Sequence, residues 1–458
     1  MINFSQVTFE DNDTRDPMNF SYKTKWMITL VACAFTGIVA AASASFSMGY
    51  QSMMQDLNCT QFQATVGLSM WSIGFGTVPL ITSSFTEEFG RLNIYIVSSF
   101  GFMLTEIMIA LSPNIQTVML GRLLGGAFGS TGATLVGGSV ADVWKQHERG
   151  QPMAFFALVA VVGTGLGPVI AGVIEANPRL GWRWIQWIHV MFTGAYFISV
   201  VLLMKETRAT IVLTRLARKK RRETGDDRYQ AKAEMEKQKL STLIKISCTR
   251  PIYLLLTEPI VQGFSLWIGF TWGVVFALIE SVSAEFQAVY GFNIQDTGFI
   301  FSTLIVGSFI GYLANTYQEK LYQKRQEARL YLPCVAAFFL PIGIFIYAWT
   351  ARPEVHWIAP AIGLTIFMSG GFVIYMVSSA IAGQSLCRNL AASIFPLFTT
   401  QMFARLTYRW GLTLFGCVGA ALVPIPWVLF FYGSRIRARS KVSRKILEEE
   451  ELQDNMEK

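Results

Sequence analysis

Charged residues are scarce in this chain of 458 residues, at 15% of the sequence, whereas an ordinary soluble protein has about 25%. This scarcity, beside 52% hydrophobic residues, indicates a membrane protein. The first twenty residues contain no apolar stretch of the kind found in a cleaved secretory signal, so we expect the first hydrophobic span to be retained. The six cysteines have no paired spacing, which argues against a disulfide framework and against a metal site.

The sequence also contains no Gly-x-x-x-x-Gly-Lys-Ser/Thr loop, which argues against an ATP-driven pump. It has no pattern of nucleophile and base that would indicate an enzyme. We therefore expect no cofactor, no bound metal and no nucleic-acid partner.

Twelve apolar stretches are each long enough to cross a bilayer, which takes about 20 residues. They predict an all-α membrane protein of twelve transmembrane helices, arranged as two pseudo-symmetric six-helix bundles on either side of one long polar segment. Such halves form transporters with a substrate site at their interface. The predicted parts are an N-terminal segment at 1–25, a first bundle at 26–204, a basic linker at 205–258, a second bundle at 259–433 and a C-terminal tail at 434–458.

The positive charge is concentrated in the linker. Between Lys205 and Arg250 there are fourteen Lys and Arg against six Asp and Glu, an excess equal to the net charge of +8. Because basic connections stay on the cytoplasmic side, we expect the linker and both termini to be cytoplasmic. The linker is interpreted as a solvated helical segment, with binding of anionic lipid headgroups as the alternative. The tripeptide Asn58-Cys59-Thr60 falls in the first outside loop and is a candidate glycosylation site.

Two motifs point to moving helices. The turn after the second span reads FTEEFGRLN, where Glu87, Gly90 and Arg91 suggest a breakable ionic tie between helices; a plain turn capped by Gly90 is the alternative.

The fifth span contains VGTGLGPVIAG. In lipid, small residues allow helices to approach closely, so Gly163, Gly167 and Gly172, with Pro168, predict a hinge and seam between the two bundles. The alternative for this glycine-rich stretch is generic small-residue packing without a functional role.

These motifs, together with DPMNFSYKTKW near the start and PIPWVLFFYGSRIRARSK near the end, resemble fungal members of the major facilitator superfamily, in the twelve-span drug:proton antiporter family. The resemblance covers nearly the whole chain. It implies alternating-access export of drugs, toxins or polyamines in exchange for protons. The partners it implies are a small-molecule substrate, protons and membrane lipids. We expect a monomer in the plasma membrane, with the vacuolar membrane as the alternative.

The sequence departs from the family at two places. Leu92 stands where a second basic residue is usual in the loop motif, and Trp357 to Phe398 spans only 42 residues, so the connection between spans ten and eleven is unusually short. These departures support a rival hypothesis, a non-transporting sensor or defective paralogue. A separate rival is a proton-coupled nutrient importer.

Ionisable residues inside spans are candidates for proton coupling, because this chemistry needs a buried carboxylate that takes and releases a proton. Arg122 matches the family's Arg-x-x-x-Gly pattern, which implies a role in proton coupling; an arginine that snorkels to the interface is the alternative. Glu280, at the end of a predicted seventh span Pro259–Glu280, and Glu106 are the candidate acids. The alternatives are a wet outer rim for Glu280 and a buried hydrogen bond for Glu106, while His189 is expected to serve packing or hydrogen bonding.

Overall fold

The computed structural model describes residues 5–10, 12–235, 239–322, 331–378 and 382–439, and most of them are helical. Within these described residues, ten helical stretches are long and apolar enough to cross a membrane. The helix Ile115–Val143 is also long enough, but its seven glycines lower its hydropathy. The last of the ten, Gln384–Gly433, has 50 residues, which is enough for two crossings. The prediction of an all-α membrane protein with twelve transmembrane helices in two bundles is therefore confirmed.

The first half of the chain begins with a 3₁₀ turn at Pro17–Asn19. Its first long helix is N-capped by Ser21, whose hydroxyl accepts a hydrogen bond from the Thr24 amide. Further 3₁₀ turns lie at Phe46–Gly49 and Gln146–Glu148. The helices are α1 Tyr22–Ser45, α2 Tyr50–Leu57, α3 Gln61–Thr77, α4 Pro79–Thr82, α5 Phe85–Phe89, α6 Arg91–Ala110, α7 Ile115–Val143, α8 Gly150–Glu175 and α9 Gly181–Leu203.

The predicted linker is partly folded, with helices α10 Ala209–Thr224, α11 Lys232–Met235 and α12 Leu240–Thr257. A two-residue parallel pair joins strand β1 (Ser5–Gln6) to β2 (Tyr229–Gln230). Arg221 donates two hydrogen bonds of 2.9 Å to the carboxylate of Glu234 and holds the pKa of that carboxyl below its usual value. This ion pair is therefore present at neutral pH and is lost as the pH falls through that lowered pKa.

The second half contains helices α13 Pro259–Tyr290, α14 Ile294–Ile300, α15 Ser302–Tyr322, α16 Tyr331–Thr350, α17 Ile358–Ser378, α18 Ala382–Leu422 and α19 Pro424–Arg439. The seventh span is longer than Pro259–Glu280, because α13 continues to Tyr290 and ends only at Gly291, which has a left-handed φ of 67°. Helix α18 is broken at Thr407, whose φ is 68°, and this break separates the last two spans.

The described ends of the second half bear on two predictions. Only residues 379–381 separate α17 from α18, and they lie outside the described residues, so the predicted short connection is seen only by its flanking helix ends. Helix α19 runs to Arg439, past the predicted start of the tail at 434, and residues 440–458 lie outside the described residues. The exact domain boundaries stay predictions.

The outer surface is apolar, as a lipid-facing surface should be. Phe192, Leu202 and Leu313 are each more than half exposed. Inside the first half, α3 and α7 approach so closely that backbone meets backbone. A Cβ added at Gly126 would lie 3.0 Å from the carbonyl carbon of Trp71 and 3.1 Å from the amide nitrogen of Phe75. The glycines of α7 thus bring two helix backbones into direct contact.

Gly126→Ala should lower the melting temperature of the detergent-purified protein by several degrees, because the added methyl group forces α3 and α7 apart. Gly137→Ala is the matched control on the same helix, since its Cβ would meet only the Met153 side chain, at 3.7 Å. The control should melt at or above the wild-type temperature, because alanine favours a helix by about 1 kcal/mol over glycine. Equal melting temperatures for the two variants would contradict the close packing of α3 on α7.

Candidate functional site

The molecule has two ends, named here the linker end and the Asn58 end. The linker end carries α5, the last turn of α7 and the linker. The Asn58 end carries Asn58 and the last turn of α13. Asn58 itself is exposed and ends α2 with a left-handed φ of 49°. Its glycosylation stays a prediction.

The loop motif at the linker end is organised by Glu206, a residue that the sequence analysis missed. Gly90 joins α5 to α6 with a φ of 84°. The Arg91 and Leu92 amides donate to the Glu206 carboxylate at 3.0 and 3.3 Å, so an acid from beyond α9 caps the start of α6. A carboxylate at a helix N-terminus satisfies free N–H groups and complements the helix dipole.

Ion pairs extend this cluster across four segments: α5, α6, α7 and the junction after α9. The Arg91 guanidinium pairs with Asp142 at the end of α7, and Arg208 lies 4.0 Å from Asp142 and 3.7 Å from Glu87. The partner of Glu87 is therefore Arg208 and not Arg91. All these groups belong to the first half and its junction with the linker. Asp142 could have been found from the sequence, because it is an acid in the last turn of the helix that forms the fourth span.

The glycines of the fifth span, which is α8, occupy two faces of that helix. Gly163 packs against the backbone of Gly37, and Gly167 against the backbone of Ala41. Both contacts are to α1, in the same half. The prediction that these two glycines lie in the seam between halves is therefore corrected, because the face they share is turned to the first helix of their own bundle.

The seam between the halves uses the other face of α8. A Cβ at Gly172 would lie 3.1 Å from the Gly298 Cα on α14, and a Cβ at Gly298 would lie 2.9 Å from the carbonyl oxygen of Pro168. Gly165, which was not singled out from the sequence, meets Ile305 of α15, with 2.7 Å from its added Cβ to Cγ1. Gly172 and Pro168 therefore contact the second half as predicted, and the hinge role of Pro168 stays a prediction.

Arg122 is completely buried inside the first half. It donates to the carbonyl oxygens of Ala42 and Ser43 at 2.9 and 3.1 Å, and its guanidinium lies 4.3 Å from the Phe46 ring centre and 4.2 Å from that of Trp71. Because the last carbonyls of a helix lack intrahelical partners, Arg122 completes the end of α1. The structure does not support the alternative of a snorkelling arginine.

Glu106 on α6 is completely buried as well, and neither of its carboxyl oxygens has a hydrogen-bond partner among the described residues. It forms no ion pair with Arg122 within the described chain. His189 fits its expected packing or hydrogen-bonding role, since its Nε2 lies at hydrogen-bond distance, 2.9 Å, from the Ser45 hydroxyl.

Glu280 lies where the two halves meet near the Asn58 end. Its carboxylate, on α13, accepts a hydrogen bond of 2.7 Å from the Thr65 hydroxyl on α3, and the Tyr50 hydroxyl lies beside the same carboxyl. The side chain is buried, so the alternative of a wet outer rim is not supported. One acid thus joins the first half to the second.

A second buried acid on α13, Glu285, was missed because the predicted span ended at Glu280. Tyr347 of α16 donates a hydrogen bond to it. Both residues belong to the second half, so Glu285 makes a contact within one bundle where Glu280 makes one between bundles.

A cavity of about 710 Å³ lies between the halves and reaches the linker end. The first half contributes Phe75 and Glu87 to its wall, the second half contributes Tyr375 and Arg388, and Leu243 of α12 also lines it. Arg388 was overlooked although it falls within the predicted eleventh span. The cavity is large enough for a drug-sized molecule.

Comparisons with known proteins agree with this architecture. A family model described as the Major Facilitator Superfamily matches residues 30–386. The chain is 29% identical to the multidrug transporter TPO1_1 of Candida glabrata, over 95% of this chain and 81% of that protein. It is 30% identical to the citrinin biosynthesis cluster MFS transporter mrr1 of Monascus ruber, over 95% and 91%. The solved proton:xylose symporter XylE shares the fold, with a TM-score of 0.65 and 16% identity over 90% of this chain and 97% of that one.

Gly90→Ala should destabilise the linker-end cluster more than backbone strain alone explains. The positive φ strains any non-glycine residue, and the added Cβ would also lie 2.9 Å from the Glu206 Cδ. Gly291→Ala is the matched control, since φ there is 67° and nothing lies within 4 Å of its Cβ. The melting temperature of Gly90→Ala should fall clearly below that of Gly291→Ala, and equal losses would mean that Glu206 does not hold this turn.

Proposed function

Because the chain belongs to the Major Facilitator Superfamily, we propose that it exports small organic molecules across a membrane in exchange for protons. The observation that carries the proposal is the cavity of about 710 Å³ that both halves line. The names of two relatives agree with export, since one is called a multidrug transporter and the other a citrinin biosynthesis cluster transporter. Drugs, toxins and polyamines are the candidate substrate classes.

The mechanism follows from which contacts are closed. At the Asn58 end the halves touch through Gly172 and Gly298 and through Thr65 and Glu280, so the cavity is shut there while it reaches the linker end. Export requires a second arrangement, in which the cavity is open at the Asn58 end and closed at the linker end, and the protein must alternate between the two. The two halves then rock about the centre, the Asn58 contacts separate, and the substrate leaves on that side.

Glu280 is positioned to couple this motion to a proton. Burying a charged carboxylate is costly unless hydrogen bonds satisfy it, and Thr65 provides one such bond across the seam. Separation of the halves removes this bond and brings the carboxyl into contact with water, where it exchanges a proton. Arg122 has a positioning role, because it holds the end of α1 beside the same seam.

The proposed location is the plasma membrane, with the linker and both termini in the cytoplasm, the vacuolar membrane being the alternative. The support is the excess of eight positive charges between Lys205 and Arg250, since basic connections remain cytoplasmic. In this orientation the cavity faces the cytoplasm, as an exporter that is ready to bind its substrate requires. The protein is proposed to act as a monomer among membrane lipids.

Reconstitution into proteoliposomes with an imposed pH gradient tests the proposal. The probes are rhodamine 6G, spermidine and 1-naphthoate, each compared with protein-free vesicles. Export in exchange for protons predicts that at least one probe moves uphill against the direction of proton flow. Uphill movement in the same direction as protons would instead show an importer, and no protein-dependent flux in a folded sample would show a non-transporting protein.

Glu280→Gln should abolish uphill flux but leave downhill exchange of the same probe, because glutamine keeps a hydrogen-bonding oxygen for Thr65 but cannot carry a proton. Glu285→Gln is the matched control: it neutralises a buried acid of the same helix whose partner, Tyr347, lies within one half. The control should retain uphill flux. Uphill flux at the wild-type rate in Glu280→Gln would remove Glu280 from the proton pathway.

A further inference from the structure

The second half presents an arginine and an amide to the cavity on one face of α18. Gln384 and Arg388 are four residues apart, so they lie one turn above each other on the helix, and both line the cavity. The Arg388 guanidinium lies 5.3 Å from the Trp272 ring centre and 5.1 Å from that of Tyr375. These two rings stack on each other, with centres 5.0 Å apart and planes 24° apart.

Both polar side chains have unused hydrogen-bonding capacity. Gln384 is 2% exposed, and neither atom of its amide has a hydrogen-bond partner within the described chain. The Arg388 Nε is likewise buried and unpartnered, and no described carboxylate forms an ion pair with this arginine. Buried polar groups without partners are costly. A ligand that supplies acceptor oxygens would satisfy both side chains.

The other charged side chains of the cavity are already neutralised or lie at its mouth. Arg91 is paired with Asp142, and Glu87 with Arg208. Arg250 is exposed. The uncompensated charge inside the cavity is therefore the positive charge of Arg388, which attracts an anion and repels a cation.

We propose that this site binds the carboxylate of a small aromatic organic acid. The guanidinium of Arg388 and the amide of Gln384 hold the carboxylate oxygens, while the Tyr375 ring, which Trp272 supports by stacking, and the apolar wall at Phe75 contact the aromatic body. A planar guanidinium matches a carboxylate in geometry and charge. The inference rests on the proposed function, because it takes this cavity as the substrate path. It selects organic acids and disfavours polyamines.

Binding to the purified full-length chain in detergent tests the charge preference. Three probes share one ring system and differ in charge at neutral pH: 1-naphthoate, 1-naphthylmethanol and 1-naphthylmethylamine. Calorimetric titration should give a Kd for naphthoate about tenfold or more below that for the alcohol, because charge-assisted hydrogen bonds replace neutral ones. The amine should bind more weakly than the alcohol.

Variants locate the preference at Arg388. Arg388→Gln should raise the Kd for naphthoate about tenfold and leave that for the alcohol nearly unchanged, and Arg388→Lys should recover part of the loss. Arg409→Gln is the matched control: its guanidinium also lies over a tryptophan ring, 3.7 Å from the Trp349 centre, and it does not line the cavity. This control should bind all three probes as the wild type does. Melting temperatures verify folding.

The outcomes separate the inference from the proposed function. Amine binding as tight as naphthoate binding, no naphthoate binding, or an unchanged preference in folded Arg388→Gln each overturns the inference. In those cases, protein-dependent uphill flux of rhodamine 6G or spermidine would leave the proposed function standing. If no probe is transported at all, the proposed function fails, whatever the binding assay shows.

Discussion

Close backbone contact across the seam at the Asn58 end is the constraint on which the rest of the structure depends. In lipid no hydrophobic force holds helices together, so association relies on close packing and on polar contacts. Here the packing element is a glycine of α8 against a glycine of α14, and the polar element is Thr65 with Glu280. At this glycine pair no side chains interlock, so the two helices can part there without repacking of either half.

The apolar surroundings of the helices explain where the buried charges lie. An arginine in the apolar zone costs about 3 kcal/mol on insertion scales, and Arg122 is kept there by carbonyl oxygens at the end of α1. Arg388 has no equivalent protein partner in the described chain, although it lies in the wall of the cavity. The first arginine thus has a structural position inside one half, and the second has the position of a ligand-binding group.

The sequence was sufficient for the helices, because each crossing needs a run of apolar residues that composition alone reveals. It also carried the two faces of α8: Gly163 and Gly167 are four residues apart, while Gly165 and Gly172 are seven apart, and both spacings keep residues on one side of a helix. Which neighbour each face meets depends on the arrangement of the bundle, which spacing cannot provide. For the same reason the prediction for Gly163 and Gly167 named the wrong interface. Glu285 was missed because the predicted helix ended too early.

Distances measured between spin labels by pulsed electron–electron double resonance would test most directly whether one end opens as the other closes. The six native cysteines are replaced, and spin labels are placed at Phe62 and Trp357 across the Asn58 end and at Asn93 and Tyr331 across the linker end. Addition of a transported probe at acidic pH should populate a state in which the first distance is longer and the second is shorter. Both distances unchanged, or both changing in the same direction, would contradict a seam that opens as the linker end closes.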